Sequence, residues 1–248
     1  MPNLKQQTFV CLDCETTGLN KTDQIIEVAA IKFTLDAELE HFESLVDPLI
    51  EIPSASIAIH HITQEMVRGQ PTIDKVLLPL LTLIGEHPII GHGILFDIDM
   101  IANAASASNI PCSIKNNASF DTLRLARLYG GSPSNSLEML RQHFNIQAEG
   151  AHRAMSDVVV NIQVFKQLSK NFKTTEQIQA ALSKPILMKN MPLGKHKGRP
   201  MRELPINYLF WAVNQDFDQD LLYSLRSEIA RRKNGSSFFQ SANPFLSL

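Results

Sequence analysis

Cysteine is scarce, with 3 in 248 residues. Cys11, Cys14 and Cys112 are an odd, small set that gives no disulfide framework and fits a reducing, cytoplasmic compartment. Cys11 and Cys14 have the C-x-x-C spacing, but they fall inside a strand-like run. An offset of three puts their side chains on opposite sheet faces, so one metal or one disulfide does not take both, and they read as buried structural thiols. No apolar run is long enough to cross a bilayer. The longest, around Val76 to Ile84, is broken by Pro79 and Thr82 and is far short of the roughly 20 residues a span needs. Met1 to Thr8 is polar and lacks the basic-then-apolar pattern of a secretory signal. Excess charge of one sign is also missing. Lysine and arginine total 23, aspartate and glutamate 25, for a net charge of −2. A uniformly basic coat is excluded, so any nucleic-acid binding needs a local patch.

What remains is an ordinary globular balance, 44% apolar and 19% charged. Strand-like runs cover Thr8 to Cys14, Ile25 to Phe33 and Leu39 to Val46, the last two joined by a short polar connection, and predict an antiparallel meander. Short helices are expected at Ser54 to His61 and Thr63 to Arg68, with Thr63 as N-cap. A helix over Thr72 to Glu86, a short strand over Pro88 to Gly91, and helices over Asp97 to Ala107, Asp121 to Tyr129, Ser136 to Phe144 and Ala154 to Leu168 follow. Strands first, then strands alternating with helices, predict an α/β fold with a mixed sheet flanked by helices. The chain turns polar near Ser169 to Ser183, and Pro185 and Pro192 follow. The expected organisation is a main domain over 1–172, a linker over 173–190, a small accessory domain over 191–234 and a flexible tail over 235–248. No internal repeat is visible.

Three acidic signals stand out. Asp13 and Glu15 lie two apart at the end of an apolar strand, so both face one spot. Such a pair is costly unless a cation neutralises it, and clustered oxygens suit Mg²⁺ or Mn²⁺. Taken alone, the pair reads more simply as a strand end capped by solvated acids. Asp97 opens a helix after a short strand, where the helix N-terminus favours an anion in any case. His152 lies five residues before Asp157, which sits in the first turns of a helix. This pattern is either a histidine poised over a metal or an exposed loop histidine beside a dipole-stabilised acid.

In order, D-x-E-T-T-G-L (13–19), H-x-x-x-F-D (92–97) and H-x-x-x-x-D (152–157) resemble the DEDDh 3′→5′ exonucleases over about Phe9 to Leu168. The resemblance implies a ribonuclease H-like fold with a five-stranded mixed sheet. It implies that Asp13, Glu15, Asp97 and Asp157 bind two divalent metals, Mg²⁺ or Mn²⁺, and that His152 is the general base. The implied reaction releases nucleoside 5′-monophosphates from a 3′ end. Thr16, Thr17 and Gly18 would form a substrate-facing turn, Leu19 an apolar wedge against terminal bases, and Phe96 either a stacking ring or a core side chain. His60 lies in I-H-H-I-T (59–63), similar to the family's I-H-G-I-T with His61 at the glycine. His92 belongs to the second motif, where Gly93 replaces the usual asparagine.

The segment Met191 to Pro200, the run Ile206 to Trp211 and the run Asp218 to Leu225 resemble the C-terminal region of the exonuclease X branch. Lys189 to Arg202 carries five basic side chains and no acid. Lys195, Lys197 and Arg199 are thus candidate phosphate contacts, with glycines allowing close approach. The expected function is a metal-dependent 3′→5′ exodeoxyribonuclease acting on single-stranded or duplex DNA 3′ ends, in DNA repair. The alternatives are an RNA-processing exoribonuclease, since 2′-OH contacts are not readable from sequence, and a proofreading or non-catalytic subunit of a DNA polymerase. The tail from Asn243 is a candidate sliding-clamp contact.

Overall fold

The protein is described from a computed structural model covering residues 3–129, 131–132, 134–147 and 153–241, with side chains to residue 234. Two compact units divide the chain, Met1–Leu182 and Ser183–Leu248.

The first unit is built on one sheet. Its opening strands are β1 (Phe9–Thr16), β2 (Ile25–Phe33) and β3 (Glu38–Leu45). β2 is buried at nearly every position, whereas β3 is mostly exposed. An apolar strand buried on both faces belongs in the middle of a sheet, and a charged one at its edge. Short β4 (Ile89–Gly91) and β5 (Ser119–Asp121) complete the order β3-β2-β1-β4-β5. The first three strands are antiparallel neighbours, as the meander requires, while β4 and β5 run parallel to β1.

Among the described residues the helices of this unit are α1 (Ser54–His60), α2 (Gln64–Val67), α3 (Ile73–Ile84), α4 (Leu95–Ala107), α5 (Thr122–Tyr129), α6 (Leu137–His143), α7 (Ala154–Leu168) and α8 (Thr175–Leu182). One core joins Phe9, Cys11, Phe33 and Phe120 to α7 through Val158, Ile162 and Phe165. The other joins Leu12, Cys14 and Val28 to α3 and α4 through Leu77, Leu80, Ile98 and Ile101. Cys11 and Cys14 therefore do lie in different layers, both buried. Among the described residues no helix is long and apolar enough to cross a membrane.

The expected fifth strand is present though no apolar run marks it, and the expected linker changes. β5 has no sequence run of its own; it exists because Ile89, Ile90 and Gly91 offer a parallel partner. The linker expected over 173–190 begins with α8, which buries Ile178 and Leu182 in the first unit. Its remainder belongs to the second unit. There Ile186 N–H donates to Asp220 Oδ1 (3.0 Å) and Met188 N–H to Ser224 Oγ (2.8 Å).

The second unit holds α9 (Ile206–Ala212) and α10 (Gln219–Ser241) around Met191, Met201, Leu204, Tyr208, Leu209, Leu221 and Leu225. Helix α10 continues through the residues expected to begin a flexible tail at 235. Residues 242–248, with the candidate clamp motif, lie outside the described residues.

Candidate active site

Strand alternation aims Asp13 and Glu15 to the face that carries α7. Two residues earlier on that face, the Cys11 thiol lies 3.7 Å from the Val158 carbonyl. This close approach brings the first turn of α7, with Asp157, over the strand end. Carboxylate oxygens of Asp13, Glu15 and Asp157 all lie within 4.8 Å of one another. Asp97 joins from the other side. Gly91 leaves no room for a Cβ, which would collide with the Ile94 side chain, so the chain turns tightly from β4 into α4. β4 pairs with β1 only at Val10 and Cys11. Beyond it, Cys14 N–H donates to Asp97 Oδ1 (2.9 Å), holding that carboxylate where its charge acts on Asp13 and Glu15.

Burial and mutual repulsion govern this cluster. Asp13 is pushed well above the carboxylate range by burial first, then by Asp97, Asp157, Glu15 and Glu27. Glu15 is raised to about 7 by burial, Asp157 and Glu27, against the opposing charge of Arg153. Asp97 is raised to about 7, again chiefly by burial, although the Cys14 amide opposes it. Four such acids with only oxygen donors fit a hard divalent cation. His152, the expected base, lies outside the described residues.

Two residues that the motifs did not single out support the cluster. Glu27 lies opposite Glu15 in the β1–β2 register and is fully buried. Its carboxylate accepts from Arg153 Nε at 3.0 and 3.1 Å, from a terminal guanidinium nitrogen, and from Ala154 N–H at 2.9 Å. Arg153 is the N-cap residue of α7, and its carbonyl accepts from Asp157 N–H at 3.0 Å. The ion pair thus ties the turn that follows His152 to the sheet. A lone acid in the apolar run IIEVAA was the available signal, since an unpaired charge does not stay buried.

The other predicted residues divide. Leu19 is 85% exposed, free to meet a substrate. Thr16 and Thr17 are buried and serve their own turn. Thr16 Oγ1 donates to the Gly18 carbonyl (2.6 Å), and Thr17 Oγ1 accepts from Gln24 N–H (3.0 Å). At Gly18 a Cβ would lie 2.6 Å from Asp23 Oδ2, so a larger residue would push that carboxylate off its bond from Asn20 N–H. Phe96 packs partly against the α3–α4 core. His92 Nδ1 lies 3.0 Å from Thr122 Oγ1, which also bonds Asn161 Oδ1 (2.6 Å). Burial lowers the His92 ring to about 4, so it is neutral.

His60 is 2% exposed, and its Nδ1 accepts from Ile62 N–H (3.0 Å). Its Nε2 is buried with no hydrogen-bond partner among the described residues. His61 has φ +60°, the left-handed conformation that glycine adopts without strain. Gly93 has φ +79°, and a Cβ there would meet nothing within 4 Å. Lys195, Lys197 and Arg199 are exposed in the second unit, on a loop closed by Met191 N–H to Arg199 O (2.9 Å) and Gly198 N–H to Met191 O (2.8 Å).

Residues 10–165 match the family model RNase_T, described as "Exonuclease". The chain belongs to the DEDDh 3′→5′ exonuclease family. That family is one of divalent-metal-dependent exonucleases, and the five-stranded mixed sheet flanked by helices is its ribonuclease H-like fold. Among its relatives, the DNA polymerase III subunit epsilon of Aquifex aeolicus (strain VF5) is 33% identical over 165 residues, 66% of this chain and 81% of that protein. The PolC-type DNA polymerase III of Clostridium perfringens (strain 13 / Type A) is 34% identical over 167 residues, 66% of this chain, which spans only 11% of that polymerase. Of solved structures, Exonuclease X in complex with 5′ overhanging duplex DNA has a TM-score of 0.56 at 24% identity, covering 70% of this chain and 98% of that one. Residues 179–230 match a second model, QSregVF_b, whose description names a quorum-sensing-regulated virulence factor and no chemistry.

Proposed function

We propose that the protein is a 3′→5′ exodeoxyribonuclease that trims DNA ends by two-metal hydrolysis, in the service of repair. The observation that carries this reading is the meeting of Asp13, Glu15 and Asp157 oxygens within 4.8 Å, with Asp97 held by the Cys14 amide where its charge acts on Asp13 and Glu15. These four residues would hold two Mg²⁺ or Mn²⁺ ions. Once bound, such a pair supplies charge neutralisation at the scissile phosphate and lowers the pKa of a water. His152 takes the proton of the attacking water, a task suited to an imidazole with an ordinary pKa of about 6.5. A new bond forms from water oxygen to phosphorus, the bond to the 3′ oxygen breaks, and that oxygen gains a proton. The nucleotide leaves as a 5′-monophosphate. Leu19 meets the terminal base, and in the second unit Lys195, Lys197 and Arg199 are suited to nucleic-acid phosphates.

DNA is favoured as substrate by the company the chain keeps: an epsilon subunit, PolC-type polymerases and an exonuclease solved with a DNA duplex. A side-by-side digestion of 5′-labelled DNA and RNA of one sequence tests the choice. The reading expects a one-nucleotide ladder on DNA with RNA degraded far more slowly; equal or faster RNA degradation overturns it. The likeness to an epsilon subunit over 81% of its length favours a second reading, proofreading beside a polymerase. That reading requires a stable complex with a polymerase subunit in co-purification.

A further inference from the structure

The second unit carries an aromatic surface that the exonuclease chemistry does not use. Helix α9 buries Tyr208, Leu209 and Ala212 in the unit's core. It leaves Ile206 and Phe210 exposed along one side and Trp211, 53% exposed, on another, beside Tyr208. Large rings left half in water on one short helix mark a contact surface rather than a packing need.

The rings are braced. Tyr208 lies between His196 and Trp211, with centroids 4.5 and 5.3 Å away. Lys195 Nζ stands 5.5 Å over the Tyr208 ring, and Lys233 Nζ 6.0 Å over that of Phe210. The first of these contacts puts a cation of the basic loop on the Tyr208–Trp211 side of the helix. Lys197 and Arg199 continue the loop from Lys195. Residues 183–248 contain 10 lysines and arginines against 5 aspartates and glutamates, a net +5 in a chain whose total is −2.

We propose that this surface, centred on Trp211, is a stacking platform for an unpaired DNA strand, with bases against the rings and phosphates against Lys195, Lys197 and Arg199. Half-exposed aromatics interleaved with basic side chains are what a single strand requires, since it offers flat apolar base faces and a polyanionic backbone together. A duplex hides its base faces in its own stack, and an acidic protein surface has no use for exposed ring faces. The inference rests on the reading of DNA as substrate and extends it to the second unit.

Trp211 is the chain's only tryptophan, so its emission reports on this surface alone. The full-length protein, in EDTA to prevent digestion, is titrated with unlabelled oligodeoxythymidylate and, separately, with a blunt duplex. Saturable quenching by the single strand and little by the duplex is expected. Trp211→Ala, checked for an unchanged thermal transition, should bind a fluorescent oligodeoxythymidylate about 5- to 100-fold more weakly by anisotropy. Trp211→Phe, which keeps a ring, should recover most of that loss. Unchanged emission with unchanged affinity of Trp211→Ala overturns the platform. So does equal quenching by the blunt duplex, or quenching that grows with protein concentration in the absence of DNA. Adding Mn²⁺ to the wild-type mixture tests the substrate separately: quenching without hydrolysis supports the platform and faults the exonuclease reading of this DNA.

Discussion

Removing Arg153 should damage the protein more than neutralising its partner, although both changes break one ion pair. Glu27 is 0% exposed and the Arg153 side chain 41%. In Glu27→Gln, the freed guanidinium turns to water, and the loss is that of charge-assisted hydrogen bonds net of rehydration, about 1–2 kcal/mol. In Arg153→Ala, the carboxylate stays sealed in the sheet opposite Glu15, with only the Ala154 amide to hold it. An uncompensated buried charge costs about 3–5 kcal/mol. Urea unfolding at pH 8 measures both. Because Arg153 caps the helix that carries Asp157, kcat on a dinucleotide should fall about 10- to 100-fold with KM little changed. The double variant should lose less than the two single losses together, since the partners share one interaction. Arg153→Ala as stable as Glu27→Gln refutes the reasoning.

Two further outcomes follow from local geometry and charge. His61→Gly should stabilise the fold by about 0.5–1 kcal/mol, because it relieves a left-handed residue at φ +60° while adding glycine's backbone entropy; chemical denaturation reads it, and a destabilised variant contradicts it. Without metal, Glu15 and Asp97 keep protons to about pH 7, whereas an unfolded chain loses them near pH 4. The native state binds the extra protons in that window, so stability falls as pH rises from about 4 to 7. In EDTA the melting temperature of Glu15→Gln should vary less with pH than that of the wild type, and identical slopes would contradict the repulsion described.

Much of this architecture was legible because it depends on short-range periodicity. Alternation along TFVCLDCET places Asp13 and Glu15 together and separates Cys11 from Cys14, and both placements hold. Long-range pairing was not legible. Arg153 and Glu27 are 126 positions apart, and neither residue alone reveals its partner. β5 is three residues long and is defined by its neighbour. Helix α8 hides in a polar stretch because two buried side chains, Ile178 and Leu182, suffice to anchor it. Thr16, Thr17 and His92 carry groups that suit a ligand, yet those groups bond within the fold, a use that only three-dimensional partners disclose.

The most direct test of the account is a Mn²⁺ titration of the intact protein, followed by the loss of the free-ion electron paramagnetic resonance signal, beside the same titration of Asp157→Asn. Two ions bound per chain, with at least one lost in the variant together with DNA hydrolysis, is the predicted result. Wild-type stoichiometry and full hydrolysis in Asp157→Asn would contradict a metal centre shared by Asp13, Glu15, Asp97 and Asp157.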